Sequence, residues 1–113
     1  MSRTEDGGRK ETIEEFGSAV NMTSRDLKDW LATDASQSAG QPGGDGESVG
    51  HASGRRIVSL LEKKESALTD DDVAHMRKVV GYVHRHLAQR PDGDVTESRW
   101  RHSLMNWGHD PLK

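Results

Sequence analysis

The sequence predicts an all-α protein, a small single-domain bundle of four to five helices with a flexible glycine-rich loop. Apolar residues recur at three- and four-residue spacing in several segments, as in Met76, Val80, Val83 and Leu87, and no alternating run is long enough for a strand. Two Ser/Thr-x-x-Asp signatures, Thr23 with Asp26 and Thr69 with Asp72, mark helix starts. The 113 residues, 31% hydrophobic and 31% charged, suffice for one core and are too few for a large enclosed cavity.

Residues 1–9 are polar and contain glycine, so they are expected to form a disordered N-terminal tail ahead of a single helical domain at 10–113. Ile13, Phe16, Ala19 and Val20 then fall at helical spacing, which places a first helix from about Lys10 to Val20. Thr23 opens a second helix with Leu27, Trp30 and Leu31 on its apolar stripe. Residues 34–47 combine glycines, Pro42 and small polar groups, the chemistry of a flexible loop. A third helix starts near Ser48 or Ser53 and carries Ile57, Val58, Leu60 and Leu61. Thr69 and Asp72 open the fourth, expected from Asp70 to about Gln89; Gly81 inside it costs ~1 kcal/mol relative to alanine unless a neighbour packs close there. The turn at Arg90–Asp94 leads to a last helix, capped by Asp94 or Thr96, that runs through Trp107 with Trp100, Leu104 and Trp107 inward. The expected core is Phe16, Leu27, Trp30, Ile57, Leu60, Leu61, Met76, Val80, Val83, Leu87, Trp100 and Leu104.

Charge is unevenly placed. Residues 1–47 carry ten Asp or Glu against five Lys or Arg, net −5, whereas residues 48–113 carry nine against eleven, net +2, and hold all six histidines. Such asymmetry marks either a nucleic-acid-facing half or an acidic tail beside an ordinary mixed-charge domain. The overall charge of −3 argues against indiscriminate coating of nucleic acid. The absence of cysteine excludes disulfides, thiolate metal sites and a cysteine nucleophile, and fits a cytoplasmic protein. The first ten residues have no apolar stretch of a signal peptide, and no run approaches the ~20 apolar residues of a membrane span.

Chemistry-bearing motifs are sparse. His75 and His86 share a helix face but stand roughly 16 Å apart at ~1.5 Å per residue, too far for one ion, so no metal is expected. Gly43-Gly44-Asp45-Gly46 lacks the Lys and Ser/Thr of a phosphate-binding loop. No arrangement specifies a catalytic site, and neither an enzyme activity nor a cofactor is expected. Ser53-Gly54-Arg55-Arg56 would form a phosphate cradle if a helix began there; the alternative is that the two arginines pair with carboxylates of a neighbouring helix. Trp100 and Trp107 beside Arg99 and Arg101 invite base stacking, although two tryptophans seven apart on one helix usually form core.

The segments Asn21-Met22-Thr23, Glu47–His51, Ser53–Ile57, Met76–Pro91 and Ser103–Pro111 resemble a family of short bacterial proteins classed as a domain of unknown function, over about residues 12–113. Some of its members carry the label of putative DNA-binding protein. The resemblance implies an all-helical cytoplasmic protein and supplies no catalytic residue. The expected function is a small nucleic-acid-associated, DNA-binding accessory protein, with Arg55, Arg56, Arg77, Lys78, Arg85, Arg99 and Arg101 contacting phosphates. The rival is a non-catalytic protein-interaction or stress-associated adaptor, with the acidic half as contact or as cover for the basic face. No membrane partner is expected, and the sequence sets no oligomeric state.

Overall fold

The computed structural model describes residues 2–39 and 49–113, with side chains from Gly8 onward within those ranges. The described residues form α1 (Ser2–Ala19), α2 (Ser24–Leu31), α3 (Asp34–Ala39), α4 (Val49–Glu62), α5 (Asp70–Leu87) and α6 (Arg99–Asn106), with a 3-10 turn at Glu65–Ala67 and no strand. α1 lies along α5, α2 along α4 and α3 along α6, while α6 also touches α2, α4 and α5. α5 is thus covered on one flank by α1 and on the other by α6.

Both sequence-read capping boxes form. Thr23 Oγ1 accepts from the Asp26 amide at 3.0 Å, and Thr69 Oγ1 accepts from the Asp72 amide at 3.1 Å, with each Asp carboxylate accepting from the Thr amide in return. α6 is capped by Ser98, whose hydroxyl accepts from the Arg101 amide, rather than by Asp94 or Thr96. Asp94 instead accepts from both the amide and the hydroxyl of Thr96 and so shapes the preceding turn.

The helical stripes meet in one core that includes Phe16, Leu27, Ile57, Leu60, Met76, Val80, Val83, Trp100 and Leu104, as expected, with Trp30, Leu61 and Leu87 half-buried against it. Val79, Val95 and Trp107 are buried there as well.

Two boundaries differ from the sequence reading, and a third settles which of its two expected starts α4 takes. α1 begins at Ser2, not near Lys10, so the expected tail at 1–9 is helical backbone from Ser2 on. α5 gives it a surface to follow, since Arg9 pairs with Asp70 at 3.0 Å and donates to the Leu68 carbonyl. The expected loop at 34–47 is helix over Asp34–Ala39, where Ser36 is fully buried; the rest of it, 40–47, lies outside the described residues. α4 begins at Val49, which places Arg55 and Arg56 well inside the helix, and their backbone amides are not the free ones of an N-terminus. The helix runs through Gly81 without a close neighbour from another element: a Cβ there would meet the guanidinium of Arg85.

Candidate functional site

The longest stretch of the sequence without Asp or Glu runs from Val73 to Pro91, along α5 and the turn after it. Between Val73 and Arg90 the chain carries Arg77, Lys78, Arg85 and Arg90 and no Asp or Glu. The acids of this helix, Asp70, Asp71 and Asp72, are confined to its first turn, where they favour the positive end of the helix dipole. Ala74, Lys78, Gly81 and Arg85 succeed one another at four- and three-residue steps and turn the same face away from the bundle. Among the described residues no carboxylate pairs with Lys78 or Arg85.

Other sequence-nominated cations lie on the flanks. Arg77 faces α1, where its Nε donates to Thr12 Oγ1 at 3.1 Å while its exposed remainder points outward. Arg56 reaches from α4 to the opposite flank, with Nη2 3.5 Å from Asp72 Oδ1. Arg55 is exposed on the outer face of α4.

Asp72 is a buried anchor for this corner. Its carboxylate accepts from Lys63 Nζ at 2.7 Å and from the Thr69 amide at 3.0 Å, and these bonds hold its pKa well below the ordinary carboxylate range. His75, beside it on the α4 side of α5, shares a 3.0 Å hydrogen bond with Ser53 Oγ. Burial, and then the Arg56 and Lys78 charges, lower its pKa to about 4, so the ring is neutral at pH 7. A neutral ring adds no charge of its own between the two cations.

Arg99 and Arg101 belong to a different part of the fold. Arg101 clasps Asp110 with two bonds, Nε to Oδ1 at 3.1 Å and Nη2 to Oδ2 at 3.0 Å, and donates through Nη1 to the Thr96 carbonyl. Burial alone would raise the Asp110 pKa; the Arg101 hydrogen bonds bring it below its ordinary value. The Asn21 side chain both donates to the Asp110 carbonyl and accepts from the Asp110 amide, and the Gly108 carbonyl accepts from the amides of Asn21 and Met22. Gly108 has φ +83° and a Cβ there would come within 2.9 Å of Val20, so no other residue suits the position. Arg101 is therefore a clasp on the C-terminal segment, not a ligand-facing cation. Arg99 donates through Nε to the Ala39 carbonyl and ties α6 to α3.

Sequence reasoning missed the aromatic arrangement on the inner flank of α5. His75, Trp107, Tyr82, His86 and Trp100 stack in that order, with centroids 6.3, 4.2, 5.0 and 6.3 Å apart and planes within 16° of parallel. Arg90 closes the column, its guanidinium carbon 5.4 Å from the Trp100 ring centre. The signal was present as matching seven-residue spacings: His75 to Tyr82 on α5, and Trp100 to Trp107 on α6 and its C-cap. Burial lowers the His86 pKa, and its Nε2 is buried without a hydrogen-bond partner. His51 bonds the Leu31 carbonyl and His109 the Ala19 carbonyl, so with His75 these rings serve as structural links. Among the described residues no three His, Asp or Glu converge as metal ligands, and no helix is long and apolar enough to cross a membrane.

A family model described as "Protein of unknown function (DUF3140)" matches residues 15–105, most of the chain, and the protein belongs to that family. No curated protein and no solved structure matches it.

Proposed function

We propose that this DUF3140 protein is a non-enzymatic nucleic-acid-binding accessory protein that holds phosphates against the outer face of α5. The observation that carries this reading is the acid-free stretch from Val73 to Arg90, with Lys78 and Arg85 exposed and unpaired with carboxylates. Arg56 and Arg77 extend the face to either side, and Arg99 and Arg101 leave the contact set because of their bonds within the fold. Phosphate contacts of this kind give affinity without base specificity. Two observations favour it over a protein adaptor. The acid-bearing α1, with Glu11, Glu14 and Glu15 exposed, runs beside the cationic face and does not cover Lys78 or Arg85. The exposed large hydrophobics among the described residues are two, Val49 on α4 and Leu112 in the C-terminal segment, neither of them on α5.

Fluorescence anisotropy with a labelled DNA duplex at about 50 and 200 mM salt tests the proposal. Each neutralised phosphate contributes ~0.9 to the slope of log K against log salt, so contacts from Arg56, Arg77, Lys78 and Arg85 give a slope of about −3 to −4, on the order of a hundred-fold loss across that range. The double variant K78Q/R85Q should bind unrelated sequences equally weakly, with a slope near about −2. Wild-type protein without salt-sensitive binding at low ionic strength would refute the reading.

A further inference from the structure

The fate of the aromatic residues narrows the ligand. Proteins that hold single-stranded nucleic acid combine a cationic track with exposed rings on which successive bases stack, worth ~1–3 kcal/mol per base. The chain has three Trp, one Tyr and one Phe; Phe16, Trp100 and Trp107 are buried, and Trp30 and Tyr82 are half-buried against the core. Trp107 lies between His75 and Tyr82, and Trp100 between His86 and Arg90. Tyr82, half-buried, stacks on Trp107 and His86, while Phe16 is buried at 4% exposure. Trp30 packs on His102 and donates through Nε1 to Asn106 Oδ1 at 2.7 Å. None of the five rings is among the exposed residues, and none stands beside Lys78 and Arg85 on the outer face of α5.

We infer that the nucleic acid bound along α5 is duplex DNA gripped by its backbones, not a single strand; this rests on the proposed function. Without stacking, a ligand is held by charge alone, and charge alone favours the polyanion whose phosphates are densest and already ordered. A duplex carries one charge per ≈ 1.7 Å of axis, and its counterion release per contact exceeds that of a single strand. The placement of the cations agrees. α5 has 18 residues, about 27 Å at ~1.5 Å per residue, and Lys78 and Arg85 stand about 10 Å apart along it. Arg77 projects on the flank beside α1 and Arg56 on the flank beside α4, so charge lies to both sides of a helix whose ~10–12 Å width is close to the ~12 Å major groove. Laid over that groove, the helix sets a cation toward each phosphate row.

The test uses the full chain with a labelled duplex and with an unstructured oligo-dT strand of equal length, at low salt, following anisotropy and intrinsic tryptophan fluorescence. Duplex binding at least about ten-fold tighter, with tryptophan emission unchanged by oligo-dT, is the expected result. Equal affinity for the strand, or quenching of tryptophan by oligo-dT, would overturn the duplex inference and leave nucleic-acid binding standing. Binding to neither would remove both.

Discussion

Gly54→Ala should destabilise the protein, although alanine is the better helix former. A Cβ at Gly54 on α4 would lie 2.6 Å from the Asn106 carbonyl oxygen and 2.7 Å from Leu31 Cδ2. Leu31 can change rotamer, but the carbonyl belongs to the last turn of α6 and can move only with that helix. Asn106 is itself fixed: its Oδ1 accepts from Trp30 Nε1 and Ser36 Oγ, and its Nδ2 donates to the Ser36 carbonyl at 2.9 Å. Widening the contact between α4 and α6 therefore strains a fully buried polar network. Overpacking costs about 1–3 kcal/mol, and a buried donor left without its acceptor costs about 1–3 kcal/mol more, against ~1 kcal/mol recovered from helix propensity. The net loss of about 1–5 kcal/mol lowers Tm by about 4–20 °C in a domain of this size. Thermal melts followed by far-UV circular dichroism measure it, with two matched variants as controls. At Gly17 a Cβ meets nothing, and at Gly81 it meets the movable end of Arg85 at 3.0 Å. Both alanine variants should gain about 0.5–1 kcal/mol. A Gly54→Ala protein melting at or above wild type would refute the close α4 to α6 crossing.

Val83 is fully buried, so Val83→Asp should abolish cooperative unfolding; an unchanged melting curve would mean that the stripe on α5 faces elsewhere. For pH, the folded His75 ring binds a proton near pH 4 and the unfolded ring near 6.5, so its contribution to stability is complete above about 6.5 and declines as pH falls towards 4. His75→Gln should therefore flatten the fall of Tm between pH 6.5 and 4.5, in part only, since burial also lowers the His86 pKa; identical slopes for variant and wild type would count against the buried, neutral ring. Asp72, whose pKa is lowered, contributes above its unfolded value of 3.8, and its loss below that pH forms a separate acid transition that Lys63→Gln should weaken.

Local chemistry was written in the sequence. The apolar stripe of Met76, Val80 and Val83, the boxes at Thr23 and Thr69, and the concentration of cations after Asp72 depend on residues within one or two turns of each other, so spacing alone carries them. What those cations do was decided by partners distant in the chain. Arg101 reads in sequence like Arg85, yet the fold brings its whole guanidinium onto Asp110 and Thr96, while Arg85 faces outward. Asp34–Ala39 has loop composition and becomes helix because Ser36 is buried against Asn106, 70 positions away. Which of its two expected starts α4 takes, near Ser48 or Ser53, was equally hidden. Gly50 and Gly54 read as helix breakers in isolation; in the fold their missing side chains admit Trp107 and the Asn106 carbonyl, and close packing outweighs their poor local propensity. Periodicity tells which face of a helix is apolar; which polar groups that face will meet depends on how the helices cross.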